Sequence, residues 1–158
     1  MNRLWSPWRM KYIQNNNSES ECPFCAALDS PHPEEHYLLF RGEKAFVILN
    51  RYPYTTGHLL ILPLAHEEKM DDLDPETRAE MMEMINRALK VLDQVYHPEG
   101  YNVGLNMGAA AGAGIPTHLH WHIVPRWVGD TNYMTSVGEV RVLPETLEDT
   151  FAKIKSAW

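Results

Sequence analysis

Short apolar runs occupy both ends of the chain, and a long stretch of helical spacing lies between them. Tyr37–Arg41 and Ala45–Leu49 read as two strands joined across Gly42-Glu43-Lys44, which predicts a hairpin. Asn50–Gly57 is a turn-rich connection, and His58–Leu62 an apolar strand closed by Pro63. Asp74-Pro75-Glu76 is a helix start: Asp caps well and Pro fits the first turn. Met81, Met82, Ile85, Ala88, Leu89, Leu92 and Val95 then recur at helical spacing to about residue 96, the methionines as core filler. Pro98 and Gly100 end that helix. Tyr101–Met107 predicts a strand, Gly108–Pro116 a Gly/Ala loop and His118–Pro125 a further strand. Cys22–Ala27 opens a short helix, and the tail carries an apolar run, Val140–Leu143, and a short helix from Pro144 to Ser156. The order of strands, one long helix, then strands predicts an α+β domain. Its antiparallel sheet has one long covering helix and a short N-terminal helix.

The chain of 158 residues then reads as one domain in three parts. Residues 1–21 form an arm whose Trp5, Trp8, Met10, Tyr12 and Ile13 are too aromatic for a disordered tail. The arm is expected to pack on the domain or on a partner subunit. Residues 22–127 are the core and 128–158 a C-terminal extension.

The strand His118–Pro125 is the least expected of these runs. Side chains alternate faces along a strand. His118, His120 and His122 would share one face, with Leu119, Trp121 and Ile123 on the other. A desolvated imidazole needs partners for two nitrogens, so such a row is costly as mere structure. Imidazole near pH 7 serves as nucleophile, acid/base or metal ligand. The middle ring, His120, is placed to attack an electrophile such as phosphorus, with a neighbour donating to the phosphoryl oxygens. Metal ligation by the row is equally allowed by spacing. The preceding loop, Asn106 to Gly114, has little side-chain bulk, which lets a ligand approach backbone N–H groups. It matches neither a P-loop nor a dinucleotide fingerprint.

Composition narrows the classes. With 44% hydrophobic and 22% charged residues the chain is globular, and a net charge of −7 argues against nonspecific nucleic-acid binding. No window approaches the ~18–20 apolar residues of a membrane span, and the N-terminus lacks a signal-peptide pattern. The expectation is a cytoplasmic protein with no membrane and no nucleic-acid partner. The only cysteines, Cys22 and Cys25, have the spacing for one zinc ion, for a free thiol pair or for a redox dithiol.

His118-Leu119-His120-Trp121-His122-Ile123-Val124 resembles the motif of the histidine triad (HIT) family of nucleotide hydrolases and transferases. Asn50-Arg51-Tyr52-Pro53, Gly57–Pro63 and Leu73–Glu76 resemble its fragile-histidine-triad branch. The N-terminal arm and Trp127–Asn132 are similar to extensions of bacterial diadenosine tetraphosphate phosphorylases and hydrolases. The resemblance implies a HIT-like fold and a nucleotidyl transfer at the α-phosphate of a dinucleoside polyphosphate. By it His120 is the nucleophile, His122 a donor to the phosphate or leaving oxygen, and His58 their support. It places Asn50 at the ribose and Asn106 near the phosphates. It also implies a homodimer with a shared sheet. Many members carry Gly-Gln and then Ser or Thr before the triad, where this chain has Ala113-Gly114-Ile115-Pro116-Thr117. Backbone amides of the loop at Gly112 and Gly114, or Thr117, would take over that role. This departure is compatible with inorganic phosphate as acceptor. The resemblance further implies a structural zinc on Cys22, Cys25, His66 and His118. Cleavage of nucleoside phosphoramidates, a nucleotide-binding interaction module and a purely zinc-binding triad are the competing functions.

Overall fold

The computed structural model describes residues 22–137 and 143–158, so the N-terminal arm and the start of the Val140–Leu143 run lie outside the described residues. Five strands form one antiparallel sheet in the order β1-β2-β3-β5-β4: β1 Leu38–Arg41, β2 Ala45–Leu49, β3 Leu59–Pro63, β4 Gly100–Leu105 and β5 Trp121–Arg126. The helices are α1 Pro23–Asp29, α2 Pro75–Tyr96, α3 Tyr133–Ser136 and α4 Leu147–Ala157, with short 3-10 turns at Pro33–His36 and Ala109–Ala111. The expected α+β architecture is present, with one long covering helix and a short helix ahead of the sheet.

Strands β2 and β3 are apolar at every position because both of their faces are covered. Ala45, Val47, Leu49, Leu59 and Ile61 face the main core beneath α2. Phe46, Ile48, Leu60 and Leu62 face a second cluster with Phe24 and Ala27 of α1. Leu119, Trp121 and Ile123 belong to the α2 side. The triad imidazoles therefore extend the α1 layer, where His118 lies edge-on to Phe24 and Phe46 at centroid distances of 5.6 and 6.2 Å.

Helix α2 begins as expected. Asp74 caps it by accepting from the Thr77 N–H at 2.6 Å, and Pro75 follows in the first turn. The helix ends one residue before Pro98, at a left-handed His97 whose N–H reaches Asp93 O. One methionine departs from the expected face. Met82 is exposed and Met84 is buried, because the buried stripe runs Met81, Met84, Ile85, Ala88, Leu92.

The triad strand is shorter than the alternation suggested. Its ladder starts at Trp121, and β3 pairs Leu59, Leu60 and Ile61 with Ile123, His122 and Trp121. Further along β3 comes Pro63, which has no N–H to give. The Leu119 N–H goes instead to Glu67 O at 2.7 Å. The alternation of faces survives without the ladder. Gly57, at φ +78°, turns the chain into His58, and a Cβ there would come within 3.0 Å of Leu92 Cδ2. Leu92 is fully buried, and Leu92→Ala is expected to lower the unfolding free energy by about 3 kcal/mol, measured by urea denaturation.

Candidate active site

Four histidines define the site, and their hydrogen bonds fix most of their tautomers. His58 and His118 are fully buried and His120 is 4% exposed. His120 Nδ1 lies 2.8 Å from the carbonyl oxygen of His118. A carbonyl only accepts, so Nδ1 carries the proton and Nε2 keeps the lone pair. His118 Nε2 lies 3.0 Å from Pro63 O, so that nitrogen is protonated and Nδ1 is the bare one. His58 Nδ1 accepts from the Tyr54 N–H at 3.1 Å and stands 3.3 Å from Asn50 Nδ2. Its Nε2–H therefore donates to His122 Nδ1 at 3.0 Å. His122 is left with its proton on Nε2. The rings of His120 and His122 sit at 5.0 Å, with a bare Nε2 on one and an Nε2–H on the other.

These rings are neutral for a physical reason. Burial pushes the His120 pKa below its usual value, partly offset by the bond to His118 O. His118 is lowered by burial as well. His122 is lowered to about 4, by burial first and by proximity to His120 second. Neutral imidazole is the nucleophilic form, so the site is set for attack at ordinary pH.

Two aromatic groups that the sequence reading passed over hold the rings. Phe24 packs on His120 with centroids 5.4 Å apart. Tyr54 stacks on His122 at 5.8 Å with planes 14° apart. Pro63 O and the Tyr54 N–H are backbone partners, invisible in side-chain spacing. The one available signal was an aromatic residue inside a turn-rich stretch.

A cavity of about 1020 Å³ opens beside His122 on the β4–β5 face, and Asn106 lines it. Asn50 lies next to His58 and accepts from the Tyr52 N–H at 2.9 Å. Gly112 closes the 3-10 turn at φ +91°, its N–H on Ala109 O, and Thr117 is exposed; neither they nor Gly114 belong to the cavity wall. Arg126, the cation nearest His122 along β5, is held by Asp130 through two bonds of 2.6 and 2.7 Å, so its charge is met within the fold. Arg51 donates to Glu35 O instead.

At the far end of the triad, Cys22 Sγ, Cys25 Sγ, His66 Nδ1 and His118 Nδ1 all lie within 4.8 Å of one another. The separations are 3.5 Å for Cys22–His118, 3.2 Å for Cys25–His66 and 3.7 Å for Cys25–His118. Edges of a tetrahedron with zinc-type bond lengths are roughly 3.3–3.8 Å. The bare His118 Nδ1 faces the thiols while its Nε2–H is held by a carbonyl, the usual support of a ligating histidine. The donor set fits zinc.

Residues 34–128 match the family model of the HIT domain. The chain is 36% identical to the AP-4-A phosphorylase of Mycobacterium tuberculosis, over 100% of this chain and 85% of that protein. A Zn-bound histidine triad family protein from Mycobacterium smegmatis superposes with a TM-score of 0.68 at 30% identity, covering 87% of this chain and 92% of the other. A hypothetical histidine triad nucleotide-binding protein from Sulfolobus tokodaii gives a TM-score of 0.69 at 28% identity, with 86% and 91% covered. This chain belongs to the HIT domain family.

The depressed His122 pKa has a consequence for stability. The unfolded ring titrates near 6.5 and the native one near 4, so between these values the unfolded chain binds more protons. Stability is expected to fall as pH drops through that window, by up to about 1.4 kcal/mol per pH unit from this residue. Denaturation at pH 7 and pH 5 measures it, and His122→Gln should shrink the difference.

Proposed function

We propose that this protein transfers a nucleotidyl group from a dinucleoside polyphosphate, through a covalent bond to His120. The observation that carries the reading is the His120 Nδ1–H bond to His118 O, which aims a bare Nε2 beside the Nε2–H of His122. His120 Nε2 attacks the α-phosphorus and a P–N bond forms. The bond to the leaving phosphate oxygen breaks with its electron pair, and that oxygen departs as a phosphate anion held by a hydrogen bond from the His122 Nε2–H. An oxygen of the acceptor then attacks the same phosphorus, as an oxyanion where the acceptor is inorganic phosphate and with loss of its proton to solvent where it is water. The P–N bond breaks and its electron pair returns to Nε2. Inorganic phosphate as acceptor yields a nucleoside diphosphate, and water a monophosphate. Likeness to a protein named AP-4-A phosphorylase supports diadenosine tetraphosphate as substrate and phosphate as acceptor.

In this reading Asn50 keeps its place near the ribose and Asn106 near the phosphates. Gly112, Gly114 and Thr117 bound the phosphate approach. Zinc on Cys22, Cys25, His66 and His118 would tie α1 to the start of the triad as a structural clamp, leaving His120 and His122 for the chemistry. The set of donors and the Zn-bound relative support this. A homodimer is supported by the position of β4 at the sheet edge with Asn102 and Val103 exposed, a ready site for sheet continuation. No helix among the described residues is long and apolar enough to cross a membrane. A reducing compartment such as the cytoplasm suits a thiol pair of this kind.

The test is incubation with diadenosine tetraphosphate with and without phosphate. ADP plus ATP, dependent on phosphate, is the expected product pair. AMP plus ATP from water alone would make the acceptor water. His120→Asn is expected to lower turnover at least 1000-fold while nucleotide binding survives; activity retained in that variant would overturn the covalent route. Elemental analysis should find stoichiometric zinc, and Cys25→Ser should lose it and lower the melting temperature.

A further inference from the structure

The mechanism uses the triad face but leaves the large cavity beside it without a role. Of the three triad histidines, only His122 lines that cavity. His122 is the ring that faces the leaving oxygen, so the cavity lies on the leaving side of the phosphorus. Directly across the ladder from His122 stands Gly104 of β4. Residues opposed in an antiparallel pair share a face, so a side chain at 104 would point where His122 points. A Cβ built on Gly104 meets no atom within 4 Å. A glycine inside a strand weakens it and often marks the close approach of a ligand.

The chemistry of the wall decides what enters. Arg126 is the lone cation among the lining residues, and Asp130 engages it twice. Glu145, which also lines the cavity, is paired with Lys153 and accepts from the Tyr96 hydroxyl at 2.8 Å. Among the described residues of the wall a polyphosphate tail finds no spare cation. The rest of the wall is aliphatic, aromatic and uncharged polar, with Tyr54 and Trp127 as flat surfaces. Such a wall suits a base and ribose, and a volume of about 1020 Å³ has room for them.

We infer that this cavity seats the leaving nucleoside of the dinucleoside polyphosphate, and that Gly104 is the residue that keeps it open. The inference rests on the proposed nucleotidyl transfer and adds to it a specificity determinant. A side chain at 104 narrows the seat next to His122 but leaves the route to His120 Nε2 in place. It should discriminate against large leaving groups over small ones.

The experiment compares wild type, Gly104→Ala and Gly104→Leu on two substrates. One is diadenosine tetraphosphate; the other is adenosine 5′-phosphoramidate, whose leaving group is ammonia. In Gly104→Leu the ratio of kcat/KM for the dinucleotide to that for the phosphoramidate is expected to fall at least tenfold, with Gly104→Ala between. Circular dichroism and zinc content report whether each variant is folded, and the graded Ala variant serves if the Leu variant is not. Equal losses on both substrates in a folded variant, or no loss on either, would overturn the inference. Wild-type protein that cleaves the phosphoramidate but no dinucleotide would instead refute the proposed substrate class, and the inference with it.

Discussion

A single backbone carbonyl sets the chemistry of this site. His118 O holds the Nδ1 proton of His120 at 2.8 Å, which turns the lone pair of that ring outward on Nε2. That carbonyl is worth only as much as the position of His118 itself. The His118 ring is fixed twice, by Pro63 O on one nitrogen and by the cysteine–histidine cluster facing the other. In the proposed reading the same residue belongs to a clamp through its side chain and to the nucleophile through its backbone. Loss of the clamp would not remove a catalytic group, but it would loosen the partner that assigns the proton.

A second chain of assignments meets the first. The Tyr54 N–H makes His58 an acceptor on Nδ1, His58 then donates to His122, and His122 keeps its proton on Nε2. Neither chain works with charged imidazoles, and burial keeps the rings neutral. The fold provides that burial by covering the sheet on both faces. The long helix lies over one side, and α1 with Phe24 closes over the other.

The sequence carried the row of imidazoles because side-chain direction follows the extended backbone. It held even at His118 and His120, where the ladder has stopped. The two-sided burial of Ala45–Leu49 was legible as an uninterrupted apolar run. The cysteine pair was legible by its spacing, but its histidine partners only through the family resemblance, since they stand 41 to 96 residues away. Tautomers were not legible, because their determinants are backbone groups of Pro63, His118 and Tyr54. The cavity wall was hidden for another reason. It is assembled from β4, β5, the Tyr54–Thr56 turn and residues of the C-terminal extension that lie far apart in the chain, and Arg126 looks like a free cation until Asp130 is folded against it. The Met82 and Met84 exchange reflects helix geometry: Met84 falls beside Met81 and Ala88, whereas Met82 is turned about 100° away from Met81.

The most direct measurement is of the protons themselves. Long-range ¹⁵N–¹H correlation spectra of the imidazoles at pH 7 assign the protonated nitrogen of each ring. The account predicts a proton on Nδ1 of His120, with Nε2 bare, and a proton on Nε2 of His122. A proton on Nε2 of His120 would contradict it, because the lone pair would then point at the His118 carbonyl and no nucleophile would face the phosphorus.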